Sequence, residues 1–393
     1  MTPAARVQAS IEILDGIIDA ARTKGPPADR LIAQWFKDHR FAGSKDKRAI
    51  RELVYDAIRA CGPVPSSGRA AMLGLAEEQE DLKALFTGEG YGPAAIAEEE
   101  SVAAGGIAPE WLENRLIASG IGEEEALSLL SRAPLDIRIN RLKIPQGLGD
   151  FPEAGEPLAL PGALRLPNGT KVAEWDAYEA GQIEVQDLGS QLACAAVGAA
   201  PGETVIDLCA GAGGKTIALA AAMANKGTLV AADTDKRRLS QLEPRAERAG
   251  VQIAQTILLD PGQEAEALAE WQGKADHVLV DAPCSGTGTW RRNPEARWRL
   301  TPAELGRLTA LQARLLDLAA PLVKPGGNLT YVTCSLLDDE GKNQIAQFLA
   351  SNPGWTVDRP EVPLGTLHGD GLRLTPSGDG TDGFFIARLG KPC

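Results

Sequence analysis

The chain has 393 residues, 44% of them hydrophobic and 24% charged, which is ordinary globular usage and enough for two domains and a third small one. Forty Lys and Arg against 53 Asp and Glu leave a formal net charge of −13. That balance excludes a uniformly basic nucleic-acid coat and leaves a local basic site open. No apolar run reaches the roughly 18 residues that span a bilayer, and the N-terminus lacks a signal-peptide pattern. The six scattered cysteines include no CxxC pair, so no metal site and no disulfide framework is expected. A reducing cytoplasm is the expected compartment.

Residues 1–130 read as helical. Val7, Ile11, Leu14 and Ile18 recur on one helical face, and Ile50, Leu53, Val54, Ala57 and Ile58 form a second stripe. Pro26 and Pro27 break the first helix, and Asp29 is placed to cap the next. Charge is uneven: residues 1–60 carry 11 Lys and Arg against 8 acids, whereas residues 61–130 carry 3 against 13. An all-helical accessory domain is expected here.

From about residue 131 the texture changes to strands. Residues 135–140 alternate apolar and polar side chains, as a half-buried strand does. Short apolar strands follow at 204–208, 228–233, 253–258, 277–281, 328–333 and 383–389, with helical patterns at 215–224, 234–249 and 303–323 between them. Strands alternating with helices mean βαβ units and a largely parallel, doubly wound α/β sheet.

In such sheets ligands sit at the carboxyl ends of the strands. The first strand ends in a glycine-rich turn, Cys209-Ala210-Gly211-Ala212-Gly213-Gly214-Lys215, which is neither a Walker loop nor a complete dinucleotide fingerprint. The second ends in Asp233, where a carboxylate can accept from both ribose hydroxyls of an adenosine-type ligand, and Asp260 follows the third, where it can face an adenine amine. A strand-end Asp often caps the next helix instead. Together with the turn, the two acids favour S-adenosylmethionine over NAD.

The next two strands end in Asp281-Ala282-Pro283-Cys284 and Thr333-Cys334-Ser335. An isolated cysteine is usually a buried small hydrophobe, but two in polar strand-end turns beside a cofactor crevice suit chemistry. Carbon 5 of a pyrimidine does not accept a methyl group unaided. A thiolate that adds to carbon 6 makes an enamine whose carbon 5 does.

The segments 207–216, 281–288 (Asp-Ala-Pro-Cys-Ser-Gly-Thr-Gly) and 331–335 (Tyr-Val-Thr-Cys-Ser), in this order, resemble the RNA 5-methylcytosine methyltransferase family that includes bacterial Sun. The likeness runs from Ala133 to Phe385. It implies a Rossmann-like class I S-adenosylmethionine-dependent methyltransferase domain over 186–393, preceded by a small α/β RNA-binding subdomain over 131–185. Cys334 is then the nucleophile and Cys284 assists product release. Cys209 to Lys215, Asp233, Asp260 and Asp281 hold the cofactor, Asp281 also meets the base edge, and Lys215 lies near the target base. Gln186 and Asp187 are expected near the active centre. Gly211-Ala212 departs from the Ala-Pro of many relatives. Residues 1–60, through Ser44 to Arg48 and Leu53 to Arg59, resemble the NusB antitermination factor, an arrangement typical of the small-subunit ribosomal RNA member of the family.

Arg291, Arg292, Arg297 and Arg299 follow the Pro-Cys turn with Trp290 and Trp298 beside them. Arginines neutralise phosphates and tryptophans stack on bases, so this loop is the expected RNA contact. A solvated loop with its tryptophan packed on the sheet is the plainer alternative. The expected partner is RNA, ribosomal before transfer RNA, with a monomeric enzyme and no membrane or metal. A non-catalytic RNA-binding or assembly factor is the remaining alternative, against which the two thiols speak.

Overall fold

A computed structural model of the chain describes residues 1–145 and 151–393, and these divide into two compact units. The first comprises Met1–Ser131 together with Thr289–Pro302, and the second Arg132–Gly288 with Ala303–Cys393.

The first unit is helical. Its main helices are α1 (Pro3–Thr23), α2 (Ala28–Asp38), α3 (Ser44–Ala60) and α4 (Gly68–Ala76). Thr2 caps α1 by accepting from the Ala5 amide, and Pro3 occupies the first turn, where its missing N–H is not needed. Val7, Leu14 and Ile18 from α1 meet Ile50, Val54 and Ile58 from α3 in one core, as the two stripes require. Asp29 does not cap α2: the helix begins at Ala28 behind Pro27, and Asp29 lies in its first turn. There an acid still complements the helix dipole. Residues 289–302, which the sequence pattern attaches to the sheet, belong to this unit, and Trp298 is buried in its core.

The second unit holds two sheets. The smaller has strands β1 (Leu135–Ile139), β2 (Glu156–Pro157), β3 (Ala163–Leu166) and β4 (Ile183–Val185), in the order β2-β3-β1-β4 and antiparallel throughout. The larger takes β5 (Thr204–Asp207), β6 (Thr228–Asp233), β7 (Ala254–Leu258), β8 (Ala275–Asp281), β9 (Val323–Thr333), β10 (Thr356–Val357), β11 (Thr366–His368), β12 (Gly371–Leu374) and β13 (Phe384–Gly390). Its order is β11-β12-β13-β9-β8-β5-β6-β7, with β10 beside β13. Strands β5 to β9 pair in parallel, while β13 runs antiparallel to β9 and carries β12 and β11 beyond it. The parallel strands read as near-continuous apolar runs because both faces of the sheet are covered: Val205, Ile206, Val278, Leu279 and Val280 are all fully buried.

The chain leaves β5 toward β6 on one side and returns to β8 on the other. That reversal opens a crevice at the carboxyl ends of β5 and β8, where the sequence places its candidate residues. Among the described residues, no helix is long and apolar enough to cross a membrane.

Candidate active site

Strands β8 and β9 end side by side, with Asp281 opposite Val332, and the register continues into both turns. The Ala282 amide donates to Val332 O at 2.9 Å and the Gly288 amide to Cys334 O at 3.0 Å. This brings Cys284 Sγ to 3.3 Å from Cys334 Sγ, both as free, half-buried thiols. Side chains behind them lock the pair. Fully buried Glu340 accepts from the Ser285 amide at 2.8 Å, from the Ser285 hydroxyl, and from Gln312 Nε2 at 3.0 Å. Ser335 Oγ lies 3.2 Å from Ser285 Oγ and 3.0 Å from Thr287 Oγ1, while Thr287 Oγ1 accepts from the Leu336 amide at 2.9 Å.

Two thiols this close cannot both ionise readily. The hydrogen bond with Cys334, burial, and the nearby charges of Cys334 and Glu340 hold the Cys284 thiol well above its ordinary value. The Cys284 thiol is therefore kept protonated.

Across the crevice, the turn after β5 is shaped by its glycines. Gly211 and Gly213 have φ of 55° and 83°, a region that side chains disfavour, and a Cβ on them would run into the Arg238 guanidinium and Leu242 respectively. Ala210 is tied to β6 through Ala232 O at 3.0 Å, Ala212 O accepts from Arg245 Nη1 at 2.9 Å, and Gly214 begins the helix Gly214–Ala222. Asp233 takes the Gly211 amide on one oxygen and the Asp235 amide on the other, each at 2.7 Å. Each oxygen keeps a second lone pair for a ligand.

A cavity of about 350 Å³ joins these parts: its wall includes Cys209, Asp233, Asp281, Pro283, Cys284 and Cys334. Burial, then the charges of Asp281, Asp207 and Asp233, keep the Cys209 thiol well above its ordinary value, so it acts as a small neutral wall residue. S-adenosylmethionine fits this donor set, with a carboxylate at the end of β6 for the ribose and a close-approach glycine turn beside it. At the rim Lys215 Nζ donates to Asp281 Oδ2 at 2.6 Å. Burial alone would lower the Lys215 ammonium, but Asp281, Cys194 and Cys334 raise it, so it stays charged.

The sequence reading overlooked Asp207 and Glu340. Asp207 is fully buried at the end of β5, with Oδ2 on Thr216 Oγ1 at 2.7 Å and Oδ1 without a partner. Burial pushes its carboxyl up to about 7, against the Thr216 hydrogen bond. A buried acid that ends an apolar strand is the signal that was available. Glu340 gave none, because it sits in an ordinary acidic run, Asp338-Asp339-Glu340.

Other expectations fall differently. Asp260 is exposed beyond β7, and its buried neighbour Leu259 takes the place in the cavity wall. Asp187 caps the helix Leu188–Val197 through the Gly189 amide at 2.7 Å, and Gln186 accepts from Arg138 Nε at 2.7 Å. The arginine loop needs correction. Arg297 is wholly buried, with its guanidinium on Pro294 O, Ile58 O and Cys61 O at 2.5, 2.6 and 2.8 Å. Burial pushes it down to about 10. Arg299 likewise donates to Gly25 O and Pro26 O, at 2.8 and 2.6 Å. These two tie residues 289–302 to the helices of their unit and do not reach out to phosphates. Arg291 is buried and Arg292 is half-exposed.

The family described as 16S rRNA methyltransferase RsmB/F matches residues 195–390. The ribosomal RNA small subunit methyltransferase B of Citrobacter koseri is 33% identical over 336 residues, covering 81% of this chain and 75% of that protein. The probable ribosomal RNA small subunit methyltransferase B of Synechocystis is 35% identical over 72% of this chain and 66% of its own length. The crystal structure of PH0851 superposes with a TM-score of 0.72 at 25% identity, covering 100% of this chain and 99% of that one.

Proposed function

The chain belongs to the RsmB/F family of ribosomal RNA methyltransferases, and from that premise we propose that it methylates carbon 5 of a cytosine in 16S ribosomal RNA through a covalent adduct with Cys334. S-adenosylmethionine, when bound, supplies the electrophilic methyl group. The observation that carries the reading is the 3.3 Å pair of thiols in the wall of the cavity that also holds Asp233.

Each residue has a step. The Asp281–Lys215 pair presents an acceptor and a cation to the edge of the cytosine, which must leave its stack to arrive here. Cys334 Sγ bonds to carbon 6, and the electron pair of the 5,6 double bond moves to carbon 5, which becomes the nucleophile. During addition Cys284 is a neutral thiol that donates to Cys334. Once Cys334 is bonded to carbon, its charge and its hydrogen bond no longer oppose ionisation of Cys284. The same thiol then becomes able to act as a base. Removal of the carbon 5 proton restores the double bond, and Cys334 leaves with the electrons of the carbon–sulfur bond.

Cytosine specificity and the ribosomal substrate are tested together by one assay. Purified protein, tritiated S-adenosylmethionine and unmodified transcripts of 16S rRNA and of transfer RNA are mixed, and 5-methylcytosine is counted in each RNA. Label confined to 16S rRNA supports the proposal, and label only in transfer RNA replaces the substrate. Of the four arginines expected at the RNA, Arg292 is retained as a proposed contact on its partial exposure.

A further inference from the structure

Arg138 is a half-buried cation with no carboxylate in direct contact among the described residues. It stands on β1 opposite Glu184 of β4, but both oxygens of Glu184 are taken, one by Arg245 at 2.9 Å and the other by Arg248. Arg138 Nε donates to the neutral Gln186 side chain at 2.7 Å, and its buried Nη2 has no partner. It forms no ion pair among the described residues. Burial lowers the guanidinium from its ordinary value, yet an arginine keeps its charge. Partly removing a cation from water with its nearest carboxylate already engaged by two other arginines costs free energy, which an anionic ligand would offset.

A groove of about 330 Å³ opens on this side chain, with Arg141, Gln191 and Cys194 also in its wall and no carboxylate among the lining residues. Arg141 is exposed and adds a second cation. Cys194 links the groove to the reaction centre. Burial pushes its thiol up to about 11 while Lys215 and Arg138 both pull it down, so both cations lie within electrostatic reach of one sulfur. Lys215 is the residue that pairs with Asp281 beside the two catalytic thiols.

We propose that Arg138, with Arg141 toward the mouth of the groove, binds a phosphodiester oxygen of the RNA strand next to the target cytosine, and so fixes where the unstacked base enters relative to Cys334. The inference rests on the reading of this chain as an RNA methyltransferase. Phosphate is the anion RNA presents along its strand, and the planar guanidinium fork matches it.

The test uses the full chain as wild type, Arg138→Met, Arg138→Lys and Arg141→Met, with an unmodified 16S rRNA transcript as the probe. Melting, S-adenosylmethionine calorimetry, and RNA binding across a salt series are measured on each. Arg138→Met should keep or raise the melting temperature, because methionine fills the space of the stem without the unpaired charge. It should leave cofactor affinity unchanged, raise the apparent KM for RNA roughly tenfold, and lower the slope of log affinity against log salt by about 0.7. Arg138→Lys should restore the slope but not the KM, and Arg141→Met should lower the slope in a fold that does not depend on residue 138. A lower melting temperature with an unchanged salt slope would make Arg138 structural and overturn the proposal. Weakened cofactor binding would overturn it too, by assigning the guanidinium to the cofactor carboxylate. Wild type that neither binds nor methylates the transcript would remove the functional reading itself, whereas active wild type with an unaltered Arg138→Met slope removes this inference alone.

Discussion

Glu340 lies 2.8 Å from the main-chain nitrogen of Ser285, and through that bond a fully buried carboxylate holds the turn that carries Cys284. Gln312 extends the clamp, donating to Glu340 at 3.0 Å and to Pro283 O at 2.9 Å. Glu340→Ala leaves the Ser285 amide and the Gln312 side chain without their acceptor. Stability should fall by roughly 2–4 kcal/mol, and kcat should drop at least tenfold because the Cys284–Cys334 spacing relaxes. Cofactor affinity should hardly change, since Asp233 and the glycine turn do not contact Glu340. Thermal melting and single-turnover rates check this, and a variant that melts and turns over like wild type would show that the clamp is idle.

Asp207 makes stability depend on pH in an uncommon direction for a carboxylate. Its folded value is raised from 3.8 to about 7, first by burial, so the folded state binds this proton more tightly than the unfolded chain. The associated stability is complete below about pH 4 and is lost as pH rises through 7, amounting to at most roughly 4 kcal/mol. Asp207→Asn removes the titration. Its melting temperature should equal or slightly trail wild type at pH 5 and exceed it at pH 8. Parallel pH profiles for the two proteins would refute a proton on Asp207.

Much of the fold was legible because both periodicities are strong. The stripes of α1 and α3 and the apolar strands from β5 to β9 lie within a few residues of where pattern alone puts them. Strands β3, β4, β11 and β12 were not legible, because each is four residues or fewer and gives too little alternation to detect. At the site, Cys284, Cys334, Asp233 and Asp281 share one cavity, as strand ends in a parallel sheet should. What misled was Arg291–Arg299. A basic run in a loop looks solvated, and the carbonyls that bury Arg297 belong to Ile58 and Cys61, more than two hundred positions away.

Arg297 therefore yields a prediction opposite to that of an RNA contact. Arg297→Ala strips hydrogen bonds from the buried carbonyls of Ile58, Cys61 and Pro294, and should cost roughly 2–5 kcal/mol of stability. The salt dependence of RNA binding should stay as in wild type. A slope flattened by about 0.7, the amount expected for one lost phosphate contact on a single strand, in a variant that melts normally would return Arg297 to the RNA.

Asp233→Ala should act on the cofactor in two ways at once. It removes the acceptor offered to the ribose, and it releases the Gly211 and Asp235 amides that shape the turn. S-adenosylmethionine should bind more weakly by roughly 1–3 kcal/mol, with RNA affinity retained. Calorimetry on the folded variant is decisive, and unchanged affinity would take Asp233 out of the cofactor site.

The two thiols should separate by the step at which each variant stops. Cys334→Ala cannot form the carbon 6 bond, so no methyl group should transfer, although RNA and S-adenosylmethionine still bind. Cys284→Ala retains the nucleophile and lacks the base that opens the adduct, so the methylated base should stay attached to Cys334. Given both substrates, that protein should run on a denaturing gel as a slower, RNA-linked band, and the band should vanish in the double variant. Cys284→Ser should behave much like Cys284→Ala, because a hydroxyl is too weak an acid to be ionised when Cys334 is consumed. One sulfur cannot serve both steps: once bonded to carbon 6 it is a thioether, far too weak a base to take the carbon 5 proton, and the second thiol stands 3.3 Å away to do so. An adduct in Cys334→Ala but not in Cys284→Ala would exchange the two roles. Full turnover by both single variants would remove the covalent mechanism.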